Sequence, residues 1–174
     1  MESKNSTLYI IGNGFDRNHH LKTEYEHFYS YLKANNDWLL QKLSSHYNVS
    51  DPKEETKEAL DKTGWLWSDF EKSLEYFDDE SLIQWIREIP FAGSDNLEDQ
   101  DYDSVRCLVF QELKIMKEKL QDAFNNWIES IDIKCKTKFI FAEDSLFFSF
   151  NYTKVLEEIY KIPDQEIIHI HGKV

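Results

Sequence analysis

Residues 8–11, LYII, form an unbroken apolar run stopped by Gly12, and such a run ending at a glycine predicts a short β-strand. From about Thr23 the spacing changes. Tyr25, Phe28, Tyr31 and Leu32 recur at three- and four-residue intervals, which predicts a helix, and Trp38, Leu39 and Leu43 predict a second. Residues 48–64 are polar and predict a loop around a weak helix, with Asp51-Pro52 as a helix start. Two further helices are predicted over 68–77 and 81–89, the second closed by Pro90. Residues 92–103 are acidic and almost free of apolar side chains, the pattern of a solvated surface loop. Over about 104–131 one long helix carries an apolar stripe through Val105, Leu108, Val109, Met116, Leu120, Phe124, Trp127 and Ile131, spaced for core packing.

The C-terminal part returns to short apolar runs. Residues 139–141 predict a short strand. Residues 146–150, LFFSF, predict a better one, apolar enough to be a buried parallel strand. Residues 154–161 predict a short helix ended before Pro163, and 167–171, IIHIH, a last strand. Strands joined by helices run parallel when they share a sheet, because the crossover returns to the same edge. The pattern therefore predicts an α/β fold: an open parallel sheet in one domain over 1–174, with a large helical insertion, about 23–135, between the first and second strands.

In such sheets ligands sit beyond the carboxyl ends of the strands. Gly12, Asn13 and Gly14 follow the first strand directly. Glycine permits left-handed backbone angles and close approach of a ligand, and a phosphate there would meet backbone N–H groups at the start of a helix. A plain tight turn is the alternative, since Arg17 stands where the dinucleotide fingerprint has its third glycine. Asn151 follows the second strand, before a helix that Thr153 could cap. An asparagine there is a turn residue, or a neutral group that orients a water or a ribose hydroxyl. On the last strand His169 and His171 would point to one face, with His171 at the carboxyl end beside Gly172. Three such corners facing one crevice favour a ligand site.

Composition narrows the partners. The 174 residues are 41% hydrophobic and 15% aromatic, a folded globule, and carry a formal charge of −13. A surface this acidic repels phosphate, and no dense basic patch relieves it, so direct nucleic-acid binding is not expected. Cys107 and Cys135 fit no disulfide framework or zinc spacing and predict buried, reduced thiols in a cytoplasmic protein. The opening MESKNST has no apolar signal region, and no run approaches the length of a membrane span. His19-His20 and His169-x-His171 have the look of ligand pairs, but no Cys or Glu stands near them at a zinc spacing, so no metal is expected. No nucleophile elbow and no phosphate-loop lysine is present.

Taken together, LYIIGNGFD (8–16), L-K-T-x-Y-x-x-F (21–28), W-x-D-F-E-x-x-L (67–74), SFNYTxxLExIY (149–160) and I-H-I-H-G (168–172) resemble the AbiH family of phage abortive-infection proteins, in family order and over nearly the whole chain. A looser similarity lies behind it: GNG is similar to the glycine corner of sirtuin-like proteins, FNY to their Q-N-x-D corner and the final His-Gly to their catalytic pair. The resemblance implies a Rossmann-like (sirtuin-like) sheet and an anti-phage effector that cleaves the nicotinamide–ribose bond of NAD. It puts Gly12, Asn13, Gly14, Phe15 and Asp16 at the cofactor's phosphate corner. It makes Asn151 the ribose or water ligand and His171 the base, with Asp16 bonding a ribose hydroxyl or the developing positive charge.

A non-catalytic module that senses a nucleotide such as NAD or ADP-ribose, or that binds a protein, stays open beside the enzyme. His20 stands where the family's G-L-x-T stretch has glycine. The chain stops at Val174, where family members usually continue, which implies a C-terminally incomplete sheet with an exposed edge. Such an edge predicts a homo-oligomer or a second-chain partner.

Overall fold

The computed structural model describes residues 7–46, Phe70 and 101–172, with the backbone alone for 45–46 and 101–106. The predictions over 48–64 and 81–89 lie outside the described residues, as do those over 68–77 apart from Phe70, which is helical, and over 92–103 apart from residues 101–103, which open a helix where the sequence predicts a loop. The elements are β1 (Thr7–Ile11), α1 (Asn13–Asn18), α2 (Tyr25–Asn35), α3 (Asp37–His46), α4 (Asp101–Glu129), β2 (Ser145–Ser149), α5 (Val155–Glu158), a single 3-10 turn (Asp164–Glu166) and β3 (Ile167–His169). The fold is mixed α/β with a small open parallel sheet. The chain divides into two compact units, one of residues 1–27 with 124–174, the other of residues 28–123. No described helix is long and apolar enough to cross a membrane.

The first unit holds the sheet, in the order β1-β2-β3. All pairs are parallel: Thr7 to Ile11 align with Ser145 to Ser149, and Phe147 to Ser149 with Ile167 to His169. Ladder bonds run one residue past β2 and β3, from Phe150 N–H to the Ile11 carbonyl at 2.8 Å and from Ile170 N–H to the Ser149 carbonyl at 2.9 Å. One face of the sheet is packed. Ile11, Phe147, Leu156 and Ile167 form its core, with Tyr9, Phe15, Phe141 and Ile162 against them. Tyr9 stacks on Phe147 at 5.4 Å, and Phe141 meets both rings edge-on at 4.9 Å.

The other face is not. Leu8, Ile10, Leu146 and Ile168 are between 48% and 71% exposed, so β2 is buried on one side only, contrary to the fully buried strand its apolar sequence suggests. Register aligns these side chains into apolar rows, Leu8 with Leu146 and Ile10 with Phe148 and Ile168.

Residues 139–141 do not form the expected strand. Tyrosine hydroxyls take the backbone donors that a ladder would use: Lys138 and Phe139 N–H donate to Tyr160 Oη at 2.9 and 3.3 Å, and Ala142 N–H to Tyr9 Oη at 3.2 Å. Phe141 meanwhile folds onto the sheet core. The two cysteines also differ from expectation. Cys107 is exposed, falling beside the apolar stripe of its helix, and Cys135 is half-buried in the irregular stretch that follows the helix; both thiols are free.

The described elements of the second unit are helices. Phe28, Leu32, Leu39 and Leu43 are fully buried, and Phe70 meets the Phe28 ring edge-on at 5.9 Å. Asn36 opens α3 by accepting the Leu39 N–H on its side-chain oxygen at 3.2 Å, a standard N-cap device. Lys119 of α4 lies 5.1 Å over the Trp38 ring, tying α4 to α3 within this unit.

Candidate functional site

The site is built from three chain segments at the carboxyl end of the sheet. β1 ends at Ile11 and the chain turns through Gly12 into the short helix α1. Gly12 is extended, with φ −124° and ψ −179°, so left-handed geometry is not what this glycine supplies. A Cβ at Gly12 or Gly14 would meet nothing within 4 Å: the corner is open to the surface. The Asn13 side chain is held by its own unit. Thr23 Oγ1 donates to Asn13 Oδ1 at 2.5 Å, and Asn13 Nδ2 donates to the Thr23 carbonyl at 3.1 Å. Phe15 turns into the aromatic cluster, 5.5 Å from both Phe139 and Tyr160.

Asp16 is the buried member of the corner, 1% exposed. The Thr153 hydroxyl donates to its Oδ2 at 2.7 Å. Its Oδ1 is buried with no hydrogen-bond partner among the described residues. Burial pushes this carboxyl above the usual carboxylate range, while the Thr153 hydroxyl, the Asn151 amide and His19 pull it back. The Asn151 amide thus lies close enough to favour the ionised carboxylate, yet its Nδ2 and Oδ1 complete no well-formed hydrogen bond among the described residues. Its backbone N–H donates to Ser149 Oγ at 3.2 Å. Thr153 does not cap α5. Lys154 holds that position without a side-chain bond, because the Thr153 hydroxyl is spent on Asp16.

A cleft of about 610 Å³ borders this cluster, within the range of small-molecule sites. Its walls are residues 128–134, where α4 ends, together with Tyr152, Thr153, Lys154 and Glu158. Tyr152 carries His171 on its ring, stacked at 5.4 Å, and Thr153 leads to Asp16.

The end of β3 departs from expectation. The strand stops at His169, so His171 falls in the turn that follows, where Gly172 takes φ +81°. The two histidines therefore have separate surroundings. His171 is exposed, with ring contacts to Tyr152 and Phe150 and no hydrogen bond among the described residues. His169 Nε2 is 2.9 Å from Glu157 Oε1, and both side chains are nearly buried, 10% and 12% exposed.

The structure thus brings Asp16 and Asn151 together, leaves Gly12, Asn13 and Gly14 on the surface beside them, and stacks His171 on Tyr152, a residue of the cleft wall. Reasoning from sequence alone missed Thr153, Ser149 and Glu157. Thr153 was present in the quoted FNYT motif, but its partner lies far away in the chain. His19, buried, uses both ring nitrogens, on the Phe15 carbonyl at 2.7 Å and Tyr160 Oη at 2.8 Å. Its neighbour His20 is exposed and ends α1 with φ 63°. Among the described residues no three His, Cys, Asp or Glu side chains are grouped to hold a metal ion.

Comparison with curated proteins and with solved structures finds no match. Residues 8–174 match the family described as bacteriophage abortive infection AbiH. Nearly the whole chain, both sheet corners and the His-Gly turn included, belongs to the AbiH family of phage abortive-infection proteins.

Proposed function

We propose that this AbiH protein is a nucleotide-binding effector of phage defence that hydrolyses the nicotinamide–ribose bond of NAD. The supporting observation is the buried pair of Asp16 and Asn151, whose Oδ1 and whose side-chain amide complete no well-formed hydrogen bond among the described residues, at the carboxyl end of two adjacent parallel strands. Burial of unpaired polar groups is costly and recurs where a ligand completes the bonding. Breaking this bond develops positive charge on the sugar while nicotinamide leaves neutral. The reaction needs a placed water, an acceptor for its proton, and a polar wall around the ribose.

Asp16 is suited to face the developing charge, and Asn151 to hold the water or a ribose hydroxyl. The open corner at Gly12, Asn13, Gly14 and Phe15 gives a pyrophosphate room to approach. A histidine at the end of β3 takes the proton, and resemblance to the sirtuin His-Gly pair offers His171. On this reading the three parallel strands are the first part of a Rossmann-like, sirtuin-like sheet. The free thiols suit a reducing cytoplasm.

One observation favours a second reading, a nucleotide sensor without catalysis: Asp16 is almost completely covered in this state. Both readings include a homo-oligomer, supported by the uncovered apolar rows of the sheet. Light scattering at micromolar concentration tests that part, and a particle of one chain's mass, 20.8 kDa, would sink it.

The deciding experiment measures NAD loss and nicotinamide release by the purified protein beside Asn151→Ala and Asp16→Asn. Turnover abolished by both substitutions supports the hydrolase. Absent turnover, with a thermal shift on adding NAD or ADP-ribose, supports the sensor.

A further inference from the structure

Resting on the NAD-cleaving reading, we infer that the proton acceptor of the site is His169, positioned by Glu157, and that His171 is a stacking surface. The argument begins with hydrogen-bond direction. A carboxylate only accepts, so at 2.9 Å from Glu157 Oε1 the His169 Nε2 carries the hydrogen. In the neutral ring the lone pair then belongs to Nδ1. That atom is buried and meets no hydrogen-bond partner among the described residues. A buried imidazole with its tautomer fixed by a carboxylate and its basic nitrogen unspent is the arrangement a general base requires. His171 has neither feature, and no hydrogen bond among the described residues selects its tautomer.

Position agrees with this role. Register puts Ile11, Ser149 and His169 in the last rung of the sheet, at its carboxyl end. Ser149 Oγ accepts the backbone N–H of Asn151, so His169 stands beside the strand that delivers Asn151. We place one water between the unspent atoms of Asn151 and His169. In the reaction the water oxygen bonds to the ribose carbon as the carbon–nitrogen bond breaks. The electron pair of that bond leaves with nicotinamide and neutralises its ring nitrogen. The water's proton passes to His169 Nδ1, and Glu157 faces the imidazolium so formed. His171, exposed and stacked on the cleft residue Tyr152, offers its other aromatic face to a planar base.

The test compares His169→Gln, Glu157→Gln and His171→Phe in steady-state NAD hydrolysis. Each glutamine keeps a hydrogen bond across the pair, and thermal melts establish that the variants are folded. The expected result is a loss of about 10²–10⁴-fold in kcat for His169→Gln. Glu157→Gln should lower kcat with KM little changed, which a packing defect at the cleft would not do selectively. His171→Phe keeps an aromatic face but no base and should act mainly on KM. A loss of kcat in His171→Phe with kcat retained in His169→Gln overturns the assignment. If the wild type shows no turnover, the hydrolase reading itself falls, and imidazole nitrogen NMR with added ADP-ribose decides the remainder. Movement of the His169 Nδ1 resonance supports its place in the site, and no movement overturns it.

Discussion

The hydroxyl of Thr153 donates to Oδ2 of Asp16 at 2.7 Å, joining residues 137 positions apart in the chain. It is a direct side-chain bond between the glycine corner after β1 and the loop after β2. With Asn151 and His19 it favours a carboxylate that burial disfavours. Because burial raises the folded-state pKa of Asp16, the native protein retains a proton there that the unfolded chain has already released. Stability from this group is therefore lost as pH rises from the ordinary aspartate range through the raised folded value. Below both values the group is neutral in either state and costs nothing.

Asp16→Asn removes that loss while keeping an oxygen for Thr153. The variant should melt higher than the wild type at neutral pH, and the difference should vanish as pH falls below the ordinary aspartate range. Thermal melts across pH check this. A variant less stable than wild type at neutral pH would mean that the carboxylate's bonds outweigh its burial.

The same carboxylate is felt by Cys135, whose thiol pKa is pushed up by burial first and then by the charge of Asp16, with Lys138 opposing. Titration with a chromogenic disulfide should therefore show the exposed Cys107 reacting first and Cys135 slowly. In Asp16→Asn the slow phase should quicken and the fast phase should not.

Tyr160 gathers three bonds at one hydroxyl: it accepts from Lys138 and Phe139 N–H, so its own hydrogen goes to His19 Nε2 at 2.8 Å. His19 consequently holds its hydrogen on Nδ1, toward the Phe15 carbonyl. Tyr160→Phe keeps the ring and strands a buried imidazole nitrogen, a change worth about 1–3 kcal/mol. Urea unfolding should show that loss, and a change near zero would mean that water reaches His19.

His20 closes α1 in the left-handed region, at φ 63°, where its Leu21 neighbour donates N–H to the Asp16 carbonyl at 3.1 Å. A non-glycine residue there costs about 1–2 kcal/mol, partly offset in a glycine variant by the entropy glycine loses on folding. His20→Gly should stabilise the protein by about 0.5–1 kcal/mol in urea unfolding.

Local pattern carried much of this into the sequence. β1, α3 and the core of β2 were legible because their apolar spacing is a property of neighbours. Asp16 and Asn151 were legible as a pair of corners because each follows an apolar strand. What failed was tertiary. Phe139 and Phe141 look like strand residues, yet tyrosine hydroxyls from distant segments claim the nearby backbone donors. His169 and His171 look equivalent on an extended strand, and the turn at Ile170 separates them. The exposure of Leu146 and Ile168 depends on what lies across the sheet, which no local window contains.

The pairing of β1 with β2 has a consequence for the order of assembly. During synthesis the first strand emerges with its glycine corner already complete, but its hydrogen-bonding neighbour is made only after the whole stretch 12–144. Closing so long a loop carries an entropic cost that local helices do not meet. Asp16 has no Thr153, and Tyr9 no Phe147, until the ribosome has nearly finished the residues described here. An interrupted chain would hold none of the buried polar cluster, so the site forms late and as a unit, and only full translation of this stretch delivers it.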